Sequence, residues 1–169
     1  GGAFAEPEGE YVLLYNNSCG DIDLGGWQAC DNAGCKTFKS FVLPAGKGVA
    51  VIADLGASGL QAYGCSATSW HLSAQQAFVS EIWFSNNLSN SGDRLSLENT
   101  SGVVIDALSY GSDATVMSPA LPDLSAGVAN QRLGYPWSGT LPANTGASDW
   151  EASPVNGHIC DLSATGEYQ

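Results

Sequence analysis

Five cysteines, several closely spaced aspartates and two histidines are the residues in this chain whose types and spacing could do chemistry. Cys30 and Cys35 flank Asp31-Asn32-Ala33-Gly34, a loop of hairpin length, so the two thiols could face each other across a strand pair. Closing so short a loop stabilises by about 2 kcal/mol on the chain-entropy model, provided the geometry is relaxed. A zinc site is the rival, but no second closely spaced cysteine pair exists and His71 and His158 are isolated, so a disulfide is expected. Cys19, Cys65 and Cys160 are further disulfide candidates that sequence alone cannot pair, and one thiol of the five is left over if two bridges form. Cysteine use of this kind points to an oxidising, extracellular setting.

Asp21 and Asp23, two apart, could ligate Ca²⁺ together with Asp31. The competing account is turn chemistry, in which aspartates accept backbone amides ahead of the Gly25-Gly26 bend, and it is preferred. No metal and no cofactor are therefore expected, with Ca²⁺ the one alternative. Gly56-Ala57-Ser58-Gly59-Leu60 lacks the spacing of a nucleophile elbow, and neither an HExxH helix nor a phosphate-binding loop occurs. His71, near Ser69 and Ser73, has no orienting acid, so no catalytic residue is assigned. Trp70, Trp83 and Phe84 could line a sugar-binding face, although large aromatics in a small sandwich more often fill the core. Asn16, Asn87 and Asn99 head N-x-Ser sequons in turns or at strand ends and are glycosylation candidates in a secretory route.

The elements that would carry these residues are short. Residues 94–98 and 103–110 read as two strands joined by Asn99-Thr100-Ser101-Gly102, a hairpin. Leu95 and Leu97 alternate with polar neighbours, marking one buried face. The second strand is ambiguous: Val103, Ile105 and Ala107 share one face, while Val104, Leu108 and Tyr110 share the other with Asp106. It needs cover on both sides or a bulge that re-aims part of the run. Trp27, Leu95, Leu97 and Ile105 are the expected core anchors.

Around that hairpin, EYVLLY at 10–15 is the first strand, and Asp23 to Trp27 lead into another through Cys30. Residues 36–42 form a return strand closed by Leu43-Pro44-Ala45-Gly46, and residues 48–53 form a buried strand. A largely irregular stretch over 54–74 and a helical turn at 73–77 follow, with β-structure resuming over 77–84. Residues 112–128 form a loop with a helical turn near Leu124. Residues 129–134 are a further strand, 137–144 a loop, and 149–154 a closing element. About seven to nine short strands, long loops and no long helix mean an all-β antiparallel sandwich.

Composition bounds the function. The 169 residues, 44% hydrophobic, suit one domain with a sizeable core. Seventeen Asp and Glu against five Lys and Arg give a formal charge of −12. Nucleic acid is bound by clustered cations, whereas Lys36, Lys39, Lys47, Arg94 and Arg132 are scattered, so neither nucleic acid nor an anionic membrane surface is an expected partner. No apolar run approaches the roughly 20 residues of a membrane-spanning helix, and no membrane insertion is expected. The opening Gly1-Gly2-Ala3, without Met, is what signal cleavage at small residues would leave.

Several motifs together resemble a known family. EYVLLYN at Glu10, DLGGW at Asp23, FVLPAGKGVAVIA at Phe41, LSNSGDRLSL at Leu88, VVIDALSYG at Val103, QRLG at Gln131 and DWEASPVNG at Asp149 resemble the lamin tail domain, in the family's order. The resemblance is to its prokaryotic, secreted type. It implies an immunoglobulin-like β-sandwich over residues 10–157, between an N-terminal extension (1–9) and a C-terminal tail (158–169). It also implies a non-catalytic role with no active-site residue to carry over. The cysteines and the long 54–74 stretch depart from the family pattern.

The expectation is a secreted, acidic structural protein. It would act as a self-assembling subunit of an extracellular filament or surface layer, a homo-oligomer or polymer joined through terminal segments and sheet edges. The alternatives are an extracellular module binding a glycan, a protein ligand or Ca²⁺, and an accessory domain to an exported hydrolase.

Overall fold

A computed structural model describes residues 10–53, 71–84, 87–123, 128–133 and 144–154. Predicted features at 1–9, 54–70, 124–127, 134–143 and 155–169, including Cys65, Cys160, Trp70, His158 and the helical turn near Leu124, lie outside these residues.

One sheet is built on β6 (Gly48–Ile52), whose five residues are all buried. Its GVAVI run has no polar alternation because both of its faces are covered. It pairs antiparallel with β1 (Tyr11–Tyr15) and parallel with β7 (His71–Ser73). The pairing of β7 with β6 extends regular structure into a stretch expected to be irregular.

The second sheet has the order β4-β3-β8-β9, where β3 is Gln28–Cys30, β4 Cys35–Thr37, β8 Gly92–Glu98 and β9 Val104–Gly111. All three of its pairings are antiparallel. Val12 and Leu14 of β1 and Val49 and Val51 of β6 pack in one core cluster with Ala29 of β3 and Leu95 and Leu97 of β8. This is the two-layer sandwich that the alternation of Leu95 and Leu97 called for.

Two aromatic-rich segments fill the space between the layers. Phe78 is 1% exposed and lies 4.9 Å from Phe38, 6.1 Å from Phe84 and 6.2 Å from Trp83, centroid to centroid. The expected strand over 77–84 is corrected here: only Phe78 makes a β-bridge, to Phe38, and the rest turns. Packing three rings from one short segment into a single pocket excludes strand alternation. Just before it, the one-turn helix α1 (Ala74–Ala77) carries a capping box, with Ser73 Oγ accepting from Gln76 N and Gln76 Oε1 accepting from Ser73 N.

The single return strand expected over 36–42 is also corrected. It divides into β4 and β5 (Val42–Leu43), and β5 pairs instead with β2 (Ile22–Asp23). Between them Phe38 N donates to Trp27 O and Lys39 N to Ala77 O, so the chain changes partners at each step.

In the central hairpin, Glu98 pairs with Val104 and Leu97 with Asp106, leaving Ile105 as the extra residue of a β-bulge. Of the two ways to accommodate that strand, the bulge is the one realised. Ile105 is therefore not a core anchor: it is 51% exposed, because the bulge turns the start of β9 away from the sandwich interior. The other three anchors, Trp27, Leu95 and Leu97, do pack on the core. At the far end of the hairpin, Gly92 and Gly111 face each other with positive φ, and a Cβ on Gly111 would lie 2.5 Å from Ser91 O. Only glycine permits that approach.

The last two strands, β10 (Val128–Arg132) and β11 (Trp150–Pro154), pair with each other as a separate antiparallel ribbon. Among the described residues, none of the core cluster comes from it.

Candidate functional site

The predicted chemistry resolves first at the cysteines. Cys30 and Cys35 are directly opposite in the β3–β4 ladder and form a disulfide. Asp31 closes the intervening turn, its Oδ1 accepting from Ala33 N at 2.8 Å and Gly34 N at 2.7 Å. Cys19 is an exposed free thiol.

The three aspartates offered as Ca²⁺ ligands are occupied by backbone amides. Asp21 Oδ1 accepts from Ala45 N at 3.0 Å. Asp23 accepts from Gly25 N at 2.8 Å, Phe41 N at 3.1 Å and the Ser40 hydroxyl. The Gly25 amide first, then Phe41 and Ser40, hold the Asp23 carboxyl below the usual carboxylate range. Among the described residues no group of three or more His, Cys, Asp or Glu is placed to hold a metal ion.

A carboxylate not singled out in the sequence carries more structure than any of these. Asp93 is 0% exposed, on the same face of β8 as Leu95 and Leu97. Its Oδ1 accepts from Asn32 N at 3.1 Å and Arg94 N at 2.8 Å, and its Oδ2 from Ser89 N at 3.2 Å. These bonds tie the disulfide turn to the turn that starts the central hairpin. Three amides thus replace the water that the buried oxygens would otherwise bind. The apolar-polar alternation did signal Asp93 as inward-facing, since it lies two residues before Leu95.

Asn16 is corrected as a glycosylation candidate. It is 3% exposed, and its Nδ2 donates to Gly20 O at 2.8 Å and Leu43 O at 2.9 Å, so the nitrogen a glycan would need is buried and engaged. Asn99 serves the hairpin turn, its Oδ1 accepting from Ser101 N and Val103 N. Asn87 sits with positive φ in a turn closed to Phe84 O. Trp83 and Phe84, weighed as a sugar-binding face, belong to the core, and Trp83 Nε1 donates to Glu10 Oε2 at 2.7 Å.

What remains as a working surface is the outer edge of β9, the last strand of its sheet. Its second half is covered by the chain itself. Leu121 N donates to Ser109 O and Gly111 N donates to Leu121 O, a parallel one-residue strand addition. Asn144 Nδ2 donates to Ala107 O at 2.8 Å on that same side. The first half is different: Val103, Val104 and Ile105 are 53, 54 and 51% exposed, three consecutive large apolar side chains. Glu98 lies opposite Val104, and Asp106 follows Ile105. The bulge at Ile105 creates this patch, so the missing signal was tertiary, although the ambiguous facing of 103–110 hinted at it.

Fold and site together define an immunoglobulin-like β-sandwich whose β9 edge no other described strand extends, with its polar chemistry committed to turns. The family model for the lamin tail domain matches residues 2–112, about two thirds of the chain, and the chain belongs to that family. This is an immunoglobulin-like, non-enzymatic domain family with no known cofactor. The match ends one residue beyond β9. The C-terminal motifs QRLG at 131 and DWEASPVNG at 149, and with them the β10–β11 ribbon, therefore lie outside the matched span. No curated protein matches the chain.

Proposed function

We propose that this chain is a non-catalytic structural module, an exported lamin tail domain of the prokaryotic type. In this reading, copies join into an extracellular filament or surface layer through sheet edges and terminal segments. The observation that carries the reading is the Val103-Val104-Ile105 patch at an open strand edge, where backbone groups and apolar side chains can both be satisfied by an added strand. The Cys30–Cys35 bridge suits an oxidising, extracellular environment. A formal charge of −12 opposes contact between copies at low ionic strength, so association grows with salt as the screening length falls toward about 8 Å. Sedimentation velocity and electron microscopy across protein and salt concentration test this. Salt-promoted oligomers that Ile105→Lys abolishes support it, and a monomer at high concentration with both termini present ends it.

A second reading rests on the charges beside the patch. Glu98 and Asp106 favour a basic protein ligand over another acidic copy, which would make the chain a binding module. Calorimetry with a peptide of alternating Val and Lys, on protein that stays monomeric, separates the two readings.

A further inference from the structure

Among the described residues, a polar clamp ties the β10–β11 ribbon to the sandwich. Asp106, which follows the bulge of β9, is its hub. Asn144 Nδ2 donates to Asp106 Oδ1 at 2.6 Å and to Ala107 O at 2.8 Å. The Arg132 guanidinium at the end of β10 lies 3.6 Å from Asp106 Oδ2 and 5.3 Å from the Trp150 ring centroid at the start of β11. Trp150 Nε1 returns a bond to Asn144 Oδ1 at 3.1 Å. Asn130 adds one longer bond to Pro122 O at 3.3 Å. Asp149 organises the clamp from below, its Oδ2 accepting from the Thr145 amide and hydroxyl.

These contacts are polar, and Asp106 is about half exposed. Asp106 is the wetter end of the clamp and Arg132 the buried one, at 47% and 10% side-chain exposure, so the pair is partly screened, whereas the sandwich is held by burial of its aromatic and aliphatic cluster. Elements with few buried apolar contacts open at lower free energy than the core. The clamp also covers something: Ala107 O is an outer-edge acceptor of β9, two residues before Ser109 O, which takes Leu121 N in the same way. With Asn144 withdrawn, Ala107 O joins the exposed edge that begins at Val104, while Ala107 N still donates to Asp106 Oδ1.

We propose that the β10–β11 ribbon is a strap that opens independently of the sandwich, with the Asp106–Asn144–Arg132–Trp150 clamp as its latch, and that opening lengthens the β9 edge available for strand addition. The gating half of this inference rests on the edge-association reading above; the independent opening does not.

Hydrogen exchange followed by mass spectrometry, run on the full chain and on Asn144→Ala, reads the strap directly. Asn144 is not part of the core cluster and its bonds go to Asp106, Ala107 and Trp150, so this variant leaves the side chains that hold the sandwich in place. In the wild type, amides of 128–132 and 150–154 exchange before those of β6 and β8. In Asn144→Ala they exchange roughly tenfold faster or more, with β6 and β8 unchanged. Asp106→Asn, which removes the charge facing Arg132, shifts the ribbon in the same direction. Ribbon and sandwich amides exchanging together in all three proteins would overturn the strap.

Sedimentation velocity on the same samples reads the gating. Stronger self-association of Asn144→Ala than of wild type supports it. A wild type that associates while the variant gains nothing overturns the gating alone. Monomers throughout overturn the association reading and the gating together, and leave the exchange result to decide the strap.

Discussion

Asp23 and Asp93 are both held by backbone amides, yet they sit at opposite extremes of burial. Asp93 is enclosed and joins two turns across 61 residues of sequence, whereas Asp23 organises the bend around Gly25 from the surface. Asp113 and Asp149 resemble Asp23: Thr115 and Thr145, respectively, hold their carboxyls below the usual range through side-chain and backbone bonds. A carboxyl whose folded pKa is depressed contributes stability above its unfolded pKa and loses it as pH falls through the folded one. Urea midpoints should therefore be flat from neutral pH down to the ordinary aspartate range and drop below it. In NMR carboxyl titrations Asp23, Asp113 and Asp149 should have midpoints below that of an ordinary aspartate. Midpoints at or above an ordinary aspartate would contradict the turn-cap assignment. Asp23 was legible as a turn residue because an aspartate two before a Gly-Gly pair is local information. The burial of Asn16 was not, because its partner Leu43 O lies 27 residues away.

The element that best separates pattern from context is β9. Its β-branched run announces a strand, and its turn residues announce a hairpin, but which side chains face inward depends on a single extra residue. Because Ile105 occupies the bulge, Ile105→Thr should change stability by less than about 0.5 kcal/mol. Leu97→Ala, on the partner strand and packed on the core, should cost about 2 kcal/mol or more. Paired urea titrations decide this, and equal losses at the two sites would restore Ile105 to the core. The same reasoning explains 36–42: its composition suits one strand, and only the competing claims of Trp27 O, Ala77 O and the Asp23 carboxylate divide it.

For the whole molecule, the controlling feature is the ring cluster between the sheets. Phe78→Ala removes the side chain that touches Phe38, Trp83 and Phe84 at once, and should cost about 3–5 kcal/mol by chemical denaturation. A loss below about 1 kcal/mol would mean the two layers are held by something else. Among the described residues, the β10–β11 ribbon contributes none to that cluster, and it lies outside the matched family span. The sandwich and the ribbon therefore stand on different physics, apolar burial for one and a polar clamp for the other.

By itself the amino-acid sequence determined what neighbours in the chain can decide. That includes the all-β class, the hairpin at 94–110, the buried strand at 48–53, the Cys30–Cys35 bridge, and the commitment of aspartates to turns. These follow from side-chain alternation, turn stereochemistry and short loop closure, all of which act over a few residues. Only the tertiary structure decided the parallel docking of β7, the partner change between β4 and β5, the turning aside of Ile105 and the clamp at Asp106. Each of those depends on which distant backbone groups and rings compete for the same space, and no local pattern encodes the outcome of that competition.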